Sequence, residues 1–372
     1  MTTVLKNGLL YTSGHSFESI EAAFSEGVIT GLGSGLKADR YIDCSECFIL
    51  PGLTDVHLHG CAGKDVCSED AGSLRAIAEY EFSRGITSFC PATMTLPDEK
   101  LERILAGISA FAEKRLPESA EVVGIHLEGP FVSAEKCGAQ KAEWLQPASA
   151  EKLRGWQRAA RGLIKPVTVA PEVSGAMECI SECAGEFHFS LGHTACGYET
   201  ARAALAAGAD RVTHLFNAMA PFHHRDTGLI GAAADDPNCF AELICDGIHV
   251  SAPAVRAAFK LFGEERIVLI SDSMEAAGMP DGEYSLGGQR VIKKGSRAEL
   301  ADGTLAGSVS DLYDCLLTAV KMGIPLENAV RAATENPCRS VGIFDRFGSI
   351  EVGKAAHFLI LSREELSIRR VI

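Results

Sequence analysis

From about residue 45 onward, short apolar runs alternate with segments in which apolar residues recur at helical spacing. Eight apolar runs have the length and composition of buried strands: Cys47–Thr54, Gly85–Pro91, Val122–His126, Pro166–Ala170, Phe187–Leu191, Arg211–His214, Cys239–Cys245 and Arg266–Ser271. The predicted helices between them are Ser73–Ser83, Glu99–Lys114, Ser149–Arg158, Ser174–Ala184, Tyr198–Ala207 and Ala252–Lys260. Buried strands that alternate with helices are typical of a (β/α)8 barrel, so the predicted fold class is α/β with a TIM-like barrel.

The two ends of the chain have a different pattern. Short alternating runs separated by glycine turns occur at Val4–Tyr11, Ile20–Phe24, Val28–Gly31 and Arg40–Asp43. The same pattern returns at 349–362, after predicted helices near 308–340. Alternation of apolar and polar positions indicates strands with one exposed face. We therefore predict a small β-sandwich domain formed by residues 1–46 and 349–372, and a barrel domain at 47–348.

Composition and charge narrow the class of protein. The chain has 372 residues, of which 47% are hydrophobic and 23% charged, as expected for a globular enzyme. No apolar stretch approaches the ~20 residues of a membrane helix, and the amino terminus lacks the apolar core of a signal peptide. We therefore expect a cytoplasmic protein with no membrane partner. The net charge of −14 argues against nucleic acid as a partner, and any anionic substrate must be bound by local cations.

The cysteines are interpreted as reduced thiols and small core residues. The chain contains 13 cysteines, and its Cys-x-x-Cys pair, Cys44 and Cys47, is not followed by a second pair at the spacing of a four-ligand zinc site. Cys61 and Cys67 lie close in sequence to candidate ligands. We interpret both as packing residues, because imidazole and carboxylate partners already suffice.

Polar residues cluster directly after the predicted barrel strands, at the end where barrels of this kind carry their chemistry. The stretch Pro51–Gly60 contains His57 and His59, and residues two apart in a strand face the same side. The later strand ends contribute, in chain order, His126-Leu-Glu128, Gly192-His193-Thr194, Thr213-His214-Leu-Phe-Asn217, Asp246-Gly-Ile-His249 and Ser271-Asp272.

Each of these residues alone has a structural explanation. A strand-end histidine is often a satisfied core imidazole, Asp272 would serve as a helix cap, and Glu128 as a turn residue. Their grouping on the same face favours a metal centre, with the candidate ligands His57, His59, Glu128, His193, His214 and Asp272. This mixture of imidazole and carboxylate suits one or two divalent ions, with Zn, Fe, Mn and Co all open. The remaining histidines are interpreted as surface or packing residues: His15, His188, His223, His224 and His357.

The candidate ligands predict hydrolytic chemistry. A divalent ion lowers the pKa of a bound water toward ~7 and polarises a carbonyl group. Glu128 is suited to bridge two ions, and Asp272 to take the proton of the water and deliver it to a leaving amine. We therefore predict a hydrolase of amides or related bonds.

Taken together, the motifs resemble the N-acetylglucosamine-6-phosphate deacetylases of the amidohydrolase superfamily. The likeness extends over nearly the whole chain, and its most specific strings are His126-Leu-Glu-Gly-Pro130 and His214-Leu-Phe-Asn-Ala-Met219. The resemblance implies that N-acetylglucosamine 6-phosphate is hydrolysed to glucosamine 6-phosphate and acetate, in amino-sugar catabolism and recycling.

The same resemblance implies roles for individual residues. Glu128, His193 and His214 hold the ion common to the family, His57 and His59 indicate a member with two ions, and Asp272 is the catalytic acid and base. The implied substrate-binding residues are Ala139, Gln140, Asn217, Ala218, Arg225, His249, Leu305, Ala306 and Gly307. Arg225, whose guanidinium suits a phosphate, and His249 are expected to reach the neighbouring subunit's site, which implies a homodimer. Gln140 stands where some relatives carry a histidine, and an amide cannot carry charge.

Two other functions stay open at this point. The first is another metal-dependent amidohydrolase, dihydroorotase-like or deaminase-like, in which a carboxylated lysine often bridges the ions. No lysine follows the runs that begin at Val122 and Pro166, and Lys165 precedes its strand, so a glutamate bridge favours the deacetylase. The second is a silent metal- or sugar-phosphate-binding regulatory protein, against which the presence of Asp272 argues.

Overall fold

A computed structural model describes residues 1–70, 72–114 and 116–372. The amino-terminal strands are β1 (Thr3–Lys6), β2 (Leu9–Tyr11), β3 (Phe17–Glu18), β4 (Glu21–Ser25), β5 (Val28–Gly33), β6 (Arg40–Asp43) and β7 (Cys47–Pro51). The strands of the central part are β8 (Leu53–Leu58), β9 (Gly60–Cys61), β10 (Lys64–Asp65), β11 (Ile86–Thr93), β12 (Glu121–Val122), β13 (Ile125–Glu128), β14 (Ile164–Val169), β15 (His188–Leu191), β16 (Ala209–Val212), β17 (Phe240–Ile244) and β18 (Ile267–Ile270). The last strands are β19 (Gly282–Leu286), β20 (Gln289–Lys294), β21 (Arg297–Leu300), β22 (Phe358–Ser362) and β23 (Ile368–Val371).

The helices are α1 (Ser73–Ser83), α2 (Asp98–Ala112), α3 (Ala150–Ala159), α4 (Ala176–Cys183), α5 (Tyr198–Ala207), α6 (Gly228–Asp235), α7 (Ala252–Phe262), α8 (Leu312–Lys321), α9 (Leu326–Ala333) and α10 (Glu335–Ser340), with 3-10 turns at Ala134–Lys136 and Ala142–Trp144. Each helix predicted between the barrel strands is present. Helix α6 was not predicted, because its first six residues are all buried and give no amphipathic period. Among the helices of the described residues, none combines the length and apolarity that a bilayer crossing needs.

The described residues place eight parallel strands in one barrel, in the order β8-β11-β13-β14-β15-β16-β17-β18. Backbone bonds join the first and last strands at or just beyond their ends: Asp272 N donates to His57 O at 2.9 Å, and His59 N donates to Ser273 O at 2.7 Å. Most strand residues are buried because helices cover the outer face. The predicted TIM-like barrel is confirmed.

The prediction of Cys47–Thr54 as one strand is wrong, because this segment divides between two sheets. Residues Cys47–Pro51 pair with Leu9–Leu10 and with Phe358–Ser362, whereas only Leu53–Leu58 joins the barrel. The chain changes sheet at Gly52, where a Cβ atom would lie 2.1 Å from Thr87 Oγ1, so only glycine fits the close approach.

Strands from both ends of the chain form two further sheets. Their strand orders are β5-β4-β1-β6 and β23-β22-β7-β2-β3. Buried side chains of both sheets, among them Leu5, Ile49 and Phe358, pack into one hydrophobic cluster. The domain division at 1–46, 47–348 and 349–372 stays a prediction. From the strand pairing, we propose that the first border falls at Gly52.

A small antiparallel sheet, β19-β20-β21, lies beside the barrel mouth. Leu286 lines the central cavity, and the side chain of Gln289 donates to Ala139 O at 2.6 Å. Sequence reasoning missed this sheet, although Gly287-Gly288 between two alternating runs is a hairpin signal.

Candidate active site and metal centre

Three candidate residues have an unusual backbone conformation directly after their strands. The φ angles of His193, His214 and Asp272 are 47°, 30° and 47°. Residues other than glycine rarely adopt positive φ, which costs on the order of 1–3 kcal/mol per residue and is concentrated at functional sites. All three residues line one cavity at the carboxyl end of the barrel.

The carboxylate of Glu128 is surrounded by four imidazoles. Its Oε1 lies 3.3 Å from His57 Nε2, 3.2 Å from His193 Nε2 and 3.3 Å from His214 Nε2. Its Oε2 lies 3.2 Å from His59 Nε2. All five residues are buried. The structure therefore brings together the residues that the sequence nominated as ligands.

The orientation of these rings fits a bound cation. Nδ1 of His59 faces Ala92 O at 3.2 Å, and Nδ1 of His193 faces Lys136 O at 2.8 Å. A carbonyl oxygen can only accept, so in the neutral rings the hydrogen is on Nδ1 and the lone pair of Nε2 is directed at the carboxylate. Lone pairs that face carboxylate oxygens repel one another unless a cation lies between them.

The ligand atoms form two groups that share Glu128. One contains His57, His59 and Glu128, and the other contains Glu128, His193 and His214, with all atoms of a group within 4.8 Å of one another. Imidazole and carboxylate are the donors that zinc and similar divalent ions take. The described residues therefore fit a divalent cation centre, and Glu128 is placed to bridge two ions.

The pKa values of the site residues are shifted because many hydrogen-bond acceptors lie close together. Burial alone would lower the pKa of His59, but hydrogen bonds to Asp272 and Glu128 raise it to about 9. Burial would raise the pKa of Glu128, but the neighbouring imidazoles, His57 first and then His193, hold it well below its usual range. A cluster with this affinity for protons also attracts metal cations.

Asp272 lies beside the two strand-one histidines. Its Oδ1 is 3.3 Å from His59 Nε2 and 3.6 Å from His57 Nε2. Burial works against ionisation, but these histidines lower the pKa of Asp272 to about 2. The carboxylate is therefore ionised at neutral pH and able to accept a proton.

The centre opens into a cavity of about 470 Å³, a size that suits a small-molecule ligand. Most of the predicted substrate-binding residues line it: Ala139, Gln140, Asn217, Ala218, His249, Leu305, Ala306 and Gly307. The cavity is also lined by residues that the sequence did not single out, namely Met94, Glu135, Lys136, Leu286 and Thr304.

Gln140 lines the cavity while its side-chain amide is bound to protein. The amide nitrogen donates to Glu128 Oε2 at 2.7 Å, and the amide oxygen accepts from the backbone N of Thr95 at 2.7 Å. Both ends of the amide are thereby fixed. Gln140 therefore holds the carboxylate that the two ligand groups share, and the substrate contact that the resemblance implies stays a prediction.

Arg225 and His249 occupy different places. Arg225 lies on an exposed loop, where its guanidinium contacts His224 Nε2 at 2.7 Å, and it does not line the cavity of its own chain. His249 lines the cavity of its own chain, and its expected reach into a neighbouring subunit's site stays a prediction. Asp246 Oδ2 at 2.7 Å and Ala306 O at 3.1 Å fix both nitrogens of its ring.

Glu242 is a site residue that sequence reasoning missed. It is fully buried on β17, with Oε2 at 3.0 Å from Nδ1 of His57. A single charged residue inside the apolar run Cys239–Cys245 was the available signal, because a carboxylate is rarely buried without a partner. Cys61 and Cys67 are buried free thiols, as interpreted from the sequence.

Comparison with known proteins adds the family. The Amidohydrolase family matches residues 48–369. The chain belongs to the amidohydrolase family. This amidohydrolase is 39% identical over 320 residues to N-acetylglucosamine-6-phosphate deacetylase of Bacillus subtilis (strain 168), covering 85% of the chain and 81% of the relative. It is also 32% identical over 367 residues to N-acetylgalactosamine-6-phosphate deacetylase of Escherichia coli O157:H7, covering 97% of the chain and 95% of the relative.

Solved structures agree over the full length. An aspartate-to-alanine variant of N-acetyl-D-glucosamine-6-phosphate deacetylase from Mycobacterium smegmatis, in complex with N-acetyl-D-glucosamine-6-phosphate, superposes with a TM-score of 0.92 at 29% identity, covering 100% of this chain and 97% of that one. The deacetylase from Thermotoga maritima gives a TM-score of 0.88 at 28% identity, covering 99% and 97%. The amidohydrolase is therefore a hydrolase with a site for a divalent cation.

Proposed function

We propose that this amidohydrolase hydrolyses the acetamide of N-acetylglucosamine 6-phosphate, giving glucosamine 6-phosphate and acetate. The observation that carries the proposal is the sharing of Glu128 by two groups of ligands beside an ionised Asp272, at the base of a cavity of sugar size. The relatives that match over most of the chain act on N-acetylated sugar phosphates by name. They support this substrate class over dihydroorotase-like or deaminase-like activities.

The ligand residues hold the centre in place. Glu128, His193 and His214 would hold one ion, and His57 and His59 would hold a second with Glu128 as the bridge. Zn, Fe, Mn and Co all suit these donors. A divalent ion bound there supplies Lewis acidity toward water and toward the acetamide carbonyl.

Asp272 would move the proton. Its ionised carboxylate takes a proton from the attacking water as the new C–O bond forms on the acetamide carbon. The same proton then passes to the sugar nitrogen as the C–N bond breaks, so the products are acetate and an amine. The position of Oδ1, 3.3 Å from His59 Nε2, supports this role, because it keeps the carboxylate at the centre rather than at the cavity rim.

The cavity walls would bind the sugar. We assign Asn217, Ala218 and Leu305–Gly307 to the hydroxyl groups and the phosphate region, together with Ala139, Gln140 and His249. His249 presents a ring that is fixed by Asp246, which reduces the entropy lost on binding.

Arg225 would bind the phosphate of a substrate held by the neighbouring subunit of a homodimer. Residues 221–226 are exposed, and Phe222 is 46% exposed, which supports burial of this loop against a second copy of the chain. A guanidinium from this loop would offset the net charge of −14 for an anionic substrate. The cytoplasmic location stays a prediction.

Acetate release tests the substrate. Purified protein loaded with Zn²⁺ is given N-acetylglucosamine 6-phosphate, its C4 epimer N-acetylgalactosamine 6-phosphate and unphosphorylated N-acetylglucosamine. We expect the highest kcat/KM for the first and a large loss without the phosphate. Preference for the epimer would move the assignment to that substrate. Equal rates without phosphate would remove the phosphate site, and ammonia instead of acetate would indicate a deaminase.

A further inference from the structure

We propose that Glu242 is a positioning residue of the metal centre, which sets the tautomer of His57 and thereby allows the chain to hold a second ion. The inference rests on the proposed metal-dependent hydrolase and adds a residue outside the ligand set. Glu242 lies on β17, and its neighbours along the strand are apolar and mostly buried. An ionised carboxylate in such a place is costly unless it is bound. Oε2 makes the contacts of Glu242, and Oε1 has no hydrogen-bond partner among the described residues.

Glu242 contacts residues of both ion-binding groups. Its Oε2 lies 3.0 Å from Nδ1 of His57 and also accepts from the backbone N of His214 at 3.4 Å. The backbone carbonyl of Glu242 accepts from Leu215 N at 2.7 Å. One carboxylate therefore links the end of the first barrel strand to the end of the sixth.

The contact with His57 determines which nitrogen faces the cavity. A carboxylate accepts a hydrogen bond, so the hydrogen of the neutral imidazole stays on Nδ1. Nε2 of His57 is then left with its lone pair, 3.3 Å from Glu128 Oε1 and 3.6 Å from Asp272 Oδ1. Among the described residues this Nε2 has no hydrogen-bond partner, as expected for an atom reserved for a ligand bond.

An anionic acceptor distinguishes His57 from the other ligand imidazoles. Nδ1 of His59 and Nδ1 of His193 face neutral backbone carbonyls, and Nδ1 of His214 has no partner within the described residues. A carboxylate behind a ligand histidine raises the basicity of the nitrogen that binds the metal and fixes the ring. The effect of Glu242 therefore falls mainly on the group that contains His57.

The same atoms do not form a third ion site. His57, His126 and Glu242 also have nitrogen and oxygen atoms within 4.8 Å of one another. However, Nδ1 of His126 faces Val56 O at 3.2 Å and Nε2 faces Thr168 Oγ1 at 2.8 Å, so both nitrogens are engaged. Burial opposes ionisation of Glu242, but His57 first, and then His126 and the fully buried Arg211 on β16, lower its pKa.

Ion binding tests the proposal without reference to turnover. Wild type, Glu242→Gln and Glu242→Asp are dialysed against a series of buffered free Zn²⁺ concentrations, and bound zinc per chain is measured by elemental analysis. Glu242→Gln removes the charge at constant size, and Glu242→Asp keeps the charge but shortens its reach. We expect two binding steps in the wild type, and in both variants a second step weakened by about ten- to hundredfold with the first step retained.

Two controls separate a specific effect from general destabilisation. Glu81→Gln replaces another fully buried acidic residue, on α1 and outside both ligand groups, and should leave both steps unchanged. In a His57→Ala background, Glu242→Gln should have no further effect on zinc binding, because the two residues act through one contact. Unchanged second-step affinity in both Glu242 variants overturns the proposal, as does a wild type that binds a single ion at every concentration. Two-step binding without acetate release would instead refute the proposed function and leave the role of Glu242 intact.

Discussion

The Nε2 atoms of His193 and His214 lie 3.0 Å apart, and each is also within 3.3 Å of Glu128 Oε1. Because Nδ1 of His193 donates to Lys136 O, the nitrogen that faces His214 carries a lone pair. Two imidazole nitrogens this close to each other and to one carboxylate oxygen are arranged as donors to a single divalent cation. The native state of this protein is thus expected to depend on the ion it holds.

Removal of the ion should therefore lower stability as well as activity. An ion present at a thousandfold its Kd contributes about 4 kcal/mol to the free energy of unfolding if it binds the native state alone. Treatment with a chelator should lower the Tm, and added Zn²⁺, Mn²⁺ or Co²⁺ should restore it. The measurement is thermal unfolding at several ion concentrations, and a Tm independent of the ion would contradict this prediction.

Asp272→Asn should abolish turnover and keep the fold. The amide cannot accept the proton of the attacking water, and loss of a general base costs about 10²–10⁴ in rate. Because Glu128, rather than Asp272, is shared by both ligand groups, at least one ion should remain bound. Acetate release and metal content are measured on the same sample. A near-normal kcat would remove Asp272 from the mechanism.

Arg225→Ala should raise the KM for the phosphorylated sugar and change kcat little. The sharper test mixes this variant with Asp272→Asn. In a mixed dimer, one site receives an intact Asp272 from its own chain and an intact Arg225 from its neighbour. After random reassociation at equal amounts, about a quarter of all sites should recover wild-type KM. If no fraction with wild-type KM appears although subunit exchange is demonstrated by mass, Arg225 does not serve a neighbouring site.

Gly129→Ala should weaken both the fold and ion binding. Gly129 has φ +81°, and a Cβ there would lie 2.2 Å from Thr95 Oγ1, next to Glu128, which both ligand groups share. We expect a loss of about 1–3 kcal/mol in the free energy of unfolding and a lower affinity for the ion.

The matched control for that change is Gly107→Ala. Gly107 is an exposed residue of α2, and a Cβ there would meet nothing within 4 Å. Alanine at this position should stabilise the helix by up to about 1 kcal/mol and leave ion binding unchanged. Similar losses for the two glycines would show that the effect at Gly129 is unrelated to the centre.

The parts of this molecule that sequence predicts best are those governed by local periodicity. Helices Ser73–Ser83 and Tyr198–Ala207 begin and end where the pattern places them, because their apolar faces repeat at helical spacing. The candidate ligands could also be predicted from the sequence, because residues that follow parallel strands meet at one end of a barrel.

What the sequence did not reveal depends on contacts between distant segments. The change of sheet at Gly52 depends on Thr87, a residue of another strand. The ring of His249 lies at the cavity of its own chain, where Nε2 is 3.1 Å from Ala306 O, a residue 57 positions away in the sequence. The partnership of Glu242 with His57 joins residues 185 positions apart, so no local pattern contains it.

The left-handed backbone at His193, His214 and Asp272 has a consequence for how this mouth can evolve. Glycine adopts such angles at no steric cost. Replacing any one of the three residues by glycine would therefore relax the main chain, but it would also remove a candidate ligand or the proposed proton acceptor. Selection for stability therefore favours glycine at these positions, whereas selection for catalysis favours the residues that are present. A descendant that no longer needs catalytic activity should acquire glycine at these positions and have a higher Tm than its active ancestor.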